Sequence, residues 1–220
     1  MKTVLIKEDI LSRNNQRAGE VRDLLKRKHV YYINLMSSPG AGKTSLLTRL
    51  IPLLSERYRI GVIEADIDSD KDALTVERET GARAIQMHTG GACHVTCQMS
   101  LEALEALGTE ELDLIILENI GNLVCPAEFD TGANMNLVLL SVPEGDDKPL
   151  KYPLMFQVAT AVAVTKTDVA SIFDFDRQRA VQHIRKRNPL APVFFTCAKT
   201  GEGTEALANY LREQIEGAQN

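Results

Sequence analysis

Few stretches restrict a fold as much as Ser37-Ser38-Pro39-Gly40-Ala41-Gly42-Lys43-Thr44. An apolar run from Val30 to Met36 precedes it, and the helical run Ser45-Leu46-Leu47-Thr48-Arg49-Leu50 follows. A glycine-rich turn between a buried strand and a helix leaves main-chain amides and the positive helix end facing a phosphate group. In such a loop the amides hold the α- and β-phosphates, Lys43 reaches the β- and γ-phosphates, and the Thr44 hydroxyl offers an oxygen to Mg²⁺. Ser38, Gly40, Ala41, Gly42, Lys43, Thr44 and Ser45 are therefore the expected cradle. Ser37 stands where the usual pattern has its first glycine, so its side chain must point away.

A strand-loop-helix unit of this kind belongs to a sheet with helices on both faces, and the rest of the chain has the matching pattern. Apolar runs at 60–64, 84–87, 112–117, 137–142, 161–165 and 193–196 alternate with helical stretches. Several are apolar throughout rather than alternating, as strands covered on both sides require. The expected fold is α/β, a doubly wound, mainly parallel sheet in the three-layer αβα arrangement of a P-loop NTPase. The 220 residues suit one domain, with an N-terminal helical extension over about residues 1–29. There Ala18, Val21 and Leu25 are spaced for one face, with Leu24 beside them, before Lys26-Arg27-Lys28, and the helix is expected at the edge of the domain.

Composition excludes several partners. A net charge of −5 opposes a nucleic-acid-binding role, and the basic run Arg185-Lys186-Arg187 sits where a helix should end, favoured there by the helix dipole. No apolar run is long enough to span a membrane, and Met1 to Glu8 lacks the apolar core of a signal peptide. A cytoplasmic chain is expected, with Cys93, Cys97, Cys125 and Cys197 as thiols that act through metal binding or reactivity.

A triphosphate site needs carboxylates at converging strand ends. Asp66, in Glu64-Ala65-Asp66-Ile67-Asp68-Ser69-Asp70, is expected on the magnesium side, whereas Asp68 and Asp70 suit a solvated turn. Glu118 follows the run 112–117 and would order water on the metal, and the amide of Gly121 would contact the γ-phosphate. Lys43, Asp66 and Glu118 are thus the catalytic candidates. Val164-Thr165-Lys166-Thr167-Asp168 resembles the guanine motif Asn-Lys-x-Asp with Thr165 in the asparagine place. Asp168 would accept both donors of the guanine edge and Lys166 would lie along the ring. Cys197, Ala198 and Lys199 would form the loop whose amide meets guanine O6. GTP is therefore expected over ATP.

The segment Leu117-Glu118-Asn119-Ile120-Gly121-Asn122-Leu123-Val124-Cys125-Pro126 puts a thiol just beyond the expected phosphate sensor. Cys93 and His94 adjoin at the expected start of a helix running through Leu101, Leu104 and Leu107, where the dipole would stabilise a thiolate. Thiolate and imidazole suit Ni²⁺ or Zn²⁺. Cys125 is the obvious third ligand, and a two-fold axis would double the donors. Cys97 is either a further ligand or a small buried residue, and His88 is either a ligand or an ordinary strand-end histidine.

Residues 37–45, Glu64-Ala65-Asp66, Gly91-Ala92-Cys93-His94, the stretch 118–130 and Asp147-Lys148-Pro149-Leu150-Lys151-Tyr152-Pro153 together resemble the HypB family of hydrogenase nickel-incorporation GTPases. The similarity covers nearly the whole chain. It implies a GTPase of the dimerising, signal-recognition-like SIMIBI class that binds nickel or zinc. Such a protein helps insert nickel into the [NiFe] hydrogenase large subunit together with a partner metallochaperone. By the same resemblance Cys93, His94 and Cys125 are interfacial metal residues, and Lys148 reaches toward the other subunit's nucleotide. Some family members carry an N-terminal cysteine cluster or histidine-rich tract. This sequence has neither, which argues against high-capacity storage. A urease-type nickel GTPase is the nearest rival, and a storage or sensing module with a structural nucleotide site is another. A small-molecule kinase is opposed by the guanine motif and by the lack of an arginine-rich lid segment.

Overall fold

The computed structural model of the protein describes residues 6–67 and 71–219. Asp68 and Asp70 of the acidic turn, and the first five residues of the N-terminal extension, lie outside the described residues. Seven strands form one sheet: β1 Tyr31–Met36, β2 Ile60–Asp66, β3 Arg83–His88, β4 Leu114–Glu118, β5 Met135–Ser141, β6 Ala161–Thr165 and β7 Val193–Phe195. Their order is β3-β2-β4-β1-β5-β6-β7 and every pairing is parallel. The chain winds outward in both directions around β1, so the carboxyl ends of β1 and its neighbours border the crevice where such sheets bind ligands.

Nine α-helices occur among the described residues: α1 Ile6–Arg27, α2 Lys43–Ser55, α3 Lys71–Thr80, α4 Cys97–Leu107, α5 Cys125–Glu128, α6 Lys148–Lys151, α7 Pro153–Gln157, α8 Arg177–Arg187 and α9 Thr204–Gln219. None is long and apolar enough to cross a membrane. The strand alternation explains the three layers. Ile33 and Leu35 of β1 pack with Leu46, Leu50 and Leu54 of α2 and Leu207 and Leu211 of α9. Tyr32 packs on the opposite face with α1 and α4, and Met36 with α7 and α8. Both residue parities must therefore be apolar, which is why these strands read as unbroken hydrophobic runs.

Strand boundaries depart from the expected ones where a side chain intervenes. β4 begins at Leu114 rather than 112. Asp113 turns outward to bind the Arg59 amide at 2.8 Å and its guanidinium at 2.7 and 2.9 Å. Leu112 fills the space over Gly61, where a Cβ would meet its Cδ1 at 2.6 Å.

Helix α1 is not an edge helix as expected. Ala18, Val21 and Leu25 are fully buried against Tyr32, Ile115 and Leu117 on the sheet face. Burying Val21 and Leu25 contributes about 1.5–3 kcal/mol each, more than the roughly 0–1 kcal/mol of an exposed ion pair. At Gly132, φ is +83° and a Cβ would lie 2.6 Å from that of Val21, so α1 sits directly on the chain entering β5.

Candidate functional site

The phosphate loop joins β1 to α2. The N-cap of α2 is Gly42 at φ 93°, with no side chain bonded to the helix start, so its first amides remain free for an anion. Ser37 is fully buried and donates to the Ser38 carbonyl at 2.7 Å, which keeps its side chain out of the loop interior. A cavity of about 750 Å³ lies over Gly40, Gly42, Lys43, Thr44, Ser45 and Glu118, bordered by Asp72, Lys166, Ala198 and Lys199.

Glu118 is 4% exposed. Its Oε1 accepts from the Thr44 hydroxyl at 3.0 Å and lies 3.8 Å from Lys43 Nζ, whereas its Oε2 is buried with no partner. Glu64 is its register neighbour on β2 and shares a side-chain hydrogen bond with it. Burial, and then the charge of Glu118, hold the Glu64 carboxyl well above the usual range. Burial also raises Glu118, opposed by Lys43 and by the hydrogen bonds from Glu64 and Thr44. Two carboxyls side by side away from water cannot both ionise, so the proton resides on Glu64 and the charge on Glu118.

The sequence pointed to Asp66 as the magnesium-side carboxylate. Asp66 ends β2 half-buried and is not among the cavity's lining residues, whereas Asp72 in the first turn of α3 is. Glutamine at position 64 would keep a donor toward Glu118 without an ionisation cost. A carboxyl with a raised folded pKa loses its favourable contribution as pH rises above its ordinary value of 4.5. Glu64→Gln should therefore melt above wild type at pH 8 in Mg²⁺-free buffer, by about 2–4 °C per kcal/mol, with the gap closing toward pH 5. Melting curves at the two pH values check this, and a gap constant with pH would contradict it.

Past β4 the chain lies directly on the phosphate loop. A Cβ at Gly121 would meet Pro39 Cα and N at 2.8 Å, so only glycine permits this approach. Asn119, fully buried, fixes the turn by donating to Asn34 Oδ1 at 2.9 Å and accepting from the Ile120 amide at 2.8 Å.

The guanine-motif residues converge on the same loop. The Thr165 hydroxyl donates to the Ala41 carbonyl at 2.7 Å, and Lys166 Nζ donates to the Gly40 carbonyl at 2.6 Å from a left-handed backbone at φ 58°. A cavity of about 220 Å³ is lined by Ser45, Lys166, Asp168, Cys197, Ala198 and Lys199. Cys197 is buried, with its amide on the Glu202 carbonyl at 2.9 Å, far in role from any metal donor set. Arg49, which sequence reasoning missed, donates to the Ala198 carbonyl at 2.7 Å and ties α2 to this loop.

Cys93, His94 and Cys125 come together, the one such donor group that could hold a metal among the described residues. Their donor atoms lie within 4.8 Å of one another, with Cys93 Sγ 2.9 Å from Cys125 Sγ and 3.8 Å from His94 Nδ1. The His94 ring stacks on Phe129 with centroids 3.8 Å apart. Burial lowers the pKa of His94 against the opposing charge of Glu128, favouring the neutral imidazole that binds metals. The expected helix-dipole effect on Cys93 is absent. α4 starts only at Cys97, capped by Thr96, and the hydrogen bond to Cys125 raises the Cys93 thiol instead. Cys97 lies fully buried in the core, where burial pushes its thiol up to about 11. His88 ends β3 and is outside this donor group.

Lys148 opens α6 and faces its own subunit's phosphate loop through Glu144. Its Nζ lies 3.5 Å from Glu144 Oε1, which also accepts from the Ser38 hydroxyl. The other oxygen of Glu144 binds the Ser141 amide at 2.9 Å and hydroxyl at 2.8 Å.

The chain is similar to known proteins along nearly its whole length. The family described as "CobW/HypB/UreG, nucleotide-binding domain" matches residues 31–195. The hydrogenase maturation factor HypB of Rhizobium leguminosarum bv. viciae is 44% identical over 94% of this chain and 69% of its own length. The hydrogenase/urease maturation factor HypB of Helicobacter pylori is 41% identical over 97% of this chain and 88% of its own. The crystal structure of HypB from Helicobacter pylori in complex with nickel superposes with a TM-score of 0.88 at 38% identity, covering 94% of this chain and 98% of that one. With a P-loop fold and this degree of likeness along nearly its whole length, the chain belongs to the HypB family of hydrogenase maturation factors.

Proposed function

We propose that the chain hydrolyses GTP to GDP and phosphate, closes into a homodimer with GTP bound, and uses the two states to take up and release Ni²⁺ or Zn²⁺. In the cell it would act in the cytoplasm with a partner metallochaperone and deliver nickel to the large subunit of [NiFe] hydrogenase. The observation that carries this proposal is the contact of Gly121 with Pro39, four residues before Cys125, whose sulfur lies 2.9 Å from that of Cys93. One short segment thereby touches both the phosphate loop and the thiol pair.

The geometry supports a role for each of these residues. Lys43 and the α2 amides offset phosphate charge. Asp168 accepts from the guanine edge, and adenine would leave that carboxylate facing an acceptor. The Thr44 hydroxyl and Glu118, with its partnerless buried oxygen, are hard donors that fit Mg²⁺, and they would hold it. When bound, that ion supplies charge neutralisation at the phosphates. Gly121 senses the γ-phosphate, and Cys93, His94 and Cys125 bind the transported metal. On dimerisation Lys148 would leave Glu144 and turn toward the partner's nucleotide. Urease is a second possible recipient, suggested by the hydrogenase/urease name of the Helicobacter pylori relative.

Phosphate release from GTP and ATP, measured beside mass by light scattering, tests the proposal. GTP-selective turnover and a doubled mass with a non-hydrolysable GTP analogue are expected. The same mass with GDP and with the analogue would contradict the dimer switch.

A further inference from the structure

Helix α1 precedes the phosphate-binding unit, yet it is tied to both segments that carry the metal donors. Asn14 is 7% exposed. Its Nδ2 donates to the Asp130 carbonyl at 2.8 Å, and its Oδ1 accepts from the Cys97 amide at 2.8 Å. Asp130 adjoins Phe129, the residue stacked on His94, and lies five residues beyond Cys125. Cys97 lies four residues beyond Cys93 and begins α4.

A single buried carboxamide thus spans the two strands of chain that present the donors. Among the described residues, the other polar ties of α1 to this region each reach one segment only. Arg17 donates to Gln98, and Arg22 pairs with Asp130 Oδ2 at 2.5 Å while reaching the Ala133 carbonyl at 3.3 Å.

We propose that Asn14 is a positioning residue of the metal site: its carboxamide fixes the separation between the Cys93-His94 segment and the Cys125 segment. The inference rests on the assignment of Cys93, His94 and Cys125 as metal donors. Asparagine suits the task because one planar group supplies a donor and an acceptor pointing in different directions. Alanine would lose both bonds. Aspartate would keep the bond to the Cys97 amide, and so the start of α4, but would set an oxygen against the Asp130 carbonyl. Groups that orient metal ligands without touching the metal commonly change affinity by about 10–100-fold.

The test is a Ni²⁺ titration of the GDP-loaded protein, followed by thiolate-to-nickel charge-transfer absorbance, on wild type, Asn14→Ala, Asn14→Asp, Arg22→Ala and Cys125→Ala. Both Asn14 variants should bind Ni²⁺ about 10-fold more weakly or worse, with GDP affinity unchanged. Arg22→Ala should stay within about 2-fold of wild type, because the hydrogen bonds of Arg22 go to Asp130 and Ala133 and do not hold the Cys97 segment. Equal losses in Arg22→Ala and Asn14→Ala would mean a general loosening of α1 and would overturn the inference. Should Asn14→Ala fold poorly, Asn14→Asp carries the test alone. Unchanged nickel affinity in Asn14→Asp beside a large loss in Cys125→Ala would overturn the role of Asn14 alone. No loss in Cys125→Ala would overturn the donor assignment, and this inference with it.

Discussion

Lys43→Ala is expected to reduce GTP turnover by about 10²–10³-fold, the usual consequence of deleting a preorganised charge at a reacting group. The Lys43 side chain is only 10% exposed and stands 3.8 Å from Glu118 Oε1. Its loss acts twice. The β- and γ-phosphates lose a cation, and Glu118, already raised by burial, loses the charge that chiefly opposes that burial. Glu118 would then hold its proton at neutral pH and become a poor oxygen donor. Turnover should fall more than GDP affinity, because the γ-phosphate contact that the variant loses exists only in the triphosphate state. Single-turnover phosphate release beside GDP binding measures the two separately, and a loss below about 10-fold would contradict the assignment.

Cys125→Ala is expected to weaken nickel binding by at least about 100-fold, since it removes one of three clustered donors rather than a group that orients them. The remaining Cys93 and His94 are neighbours in sequence and form an incomplete set. Cys97→Ala provides the contrast. Its sulfur lies in the core among apolar side chains, so the substitution should cost some stability and leave nickel affinity within about 2-fold. The same charge-transfer titration reads both variants. Comparable nickel losses in the two would place the metal elsewhere.

These predictions draw on different levels of the molecule, and the levels were not equally legible in the sequence. The phosphate loop could be read directly because its chemistry is local: Gly40, Gly42, Lys43 and Thr44 are contiguous and flanked by their strand and helix. The sheet was legible because helices cover both its faces, which writes itself into unbroken apolar runs. Cross-strand register is not local, so Glu64 was passed over for Asp66 although β2 places it beside Glu118. Asn14 was invisible for the same reason, its two bonds reaching chain 83 and 116 residues away. The start of α4 was misjudged because the donor residues occupy the turn before it, and Thr96, an ordinary N-cap, marks the true beginning. Lys148, which by resemblance reaches toward the other subunit's nucleotide, stands in the single chain 3.5 Å from Glu144 Oε1, the oxygen that also accepts from Ser38.

Nickel affinity in the GDP state and with a non-hydrolysable GTP analogue, for wild type and Gly121→Ala, probes the link between the two sites. A side chain at 121 would force apart the phosphate loop and the segment that carries Cys125. Wild type should show at least about a 5-fold difference between the two nucleotide states, the lower bound of ordinary coupling between sites. Gly121→Ala should still bind nickel but with the difference erased. Equal wild-type affinities in both states would show that nucleotide and metal do not communicate through this loop.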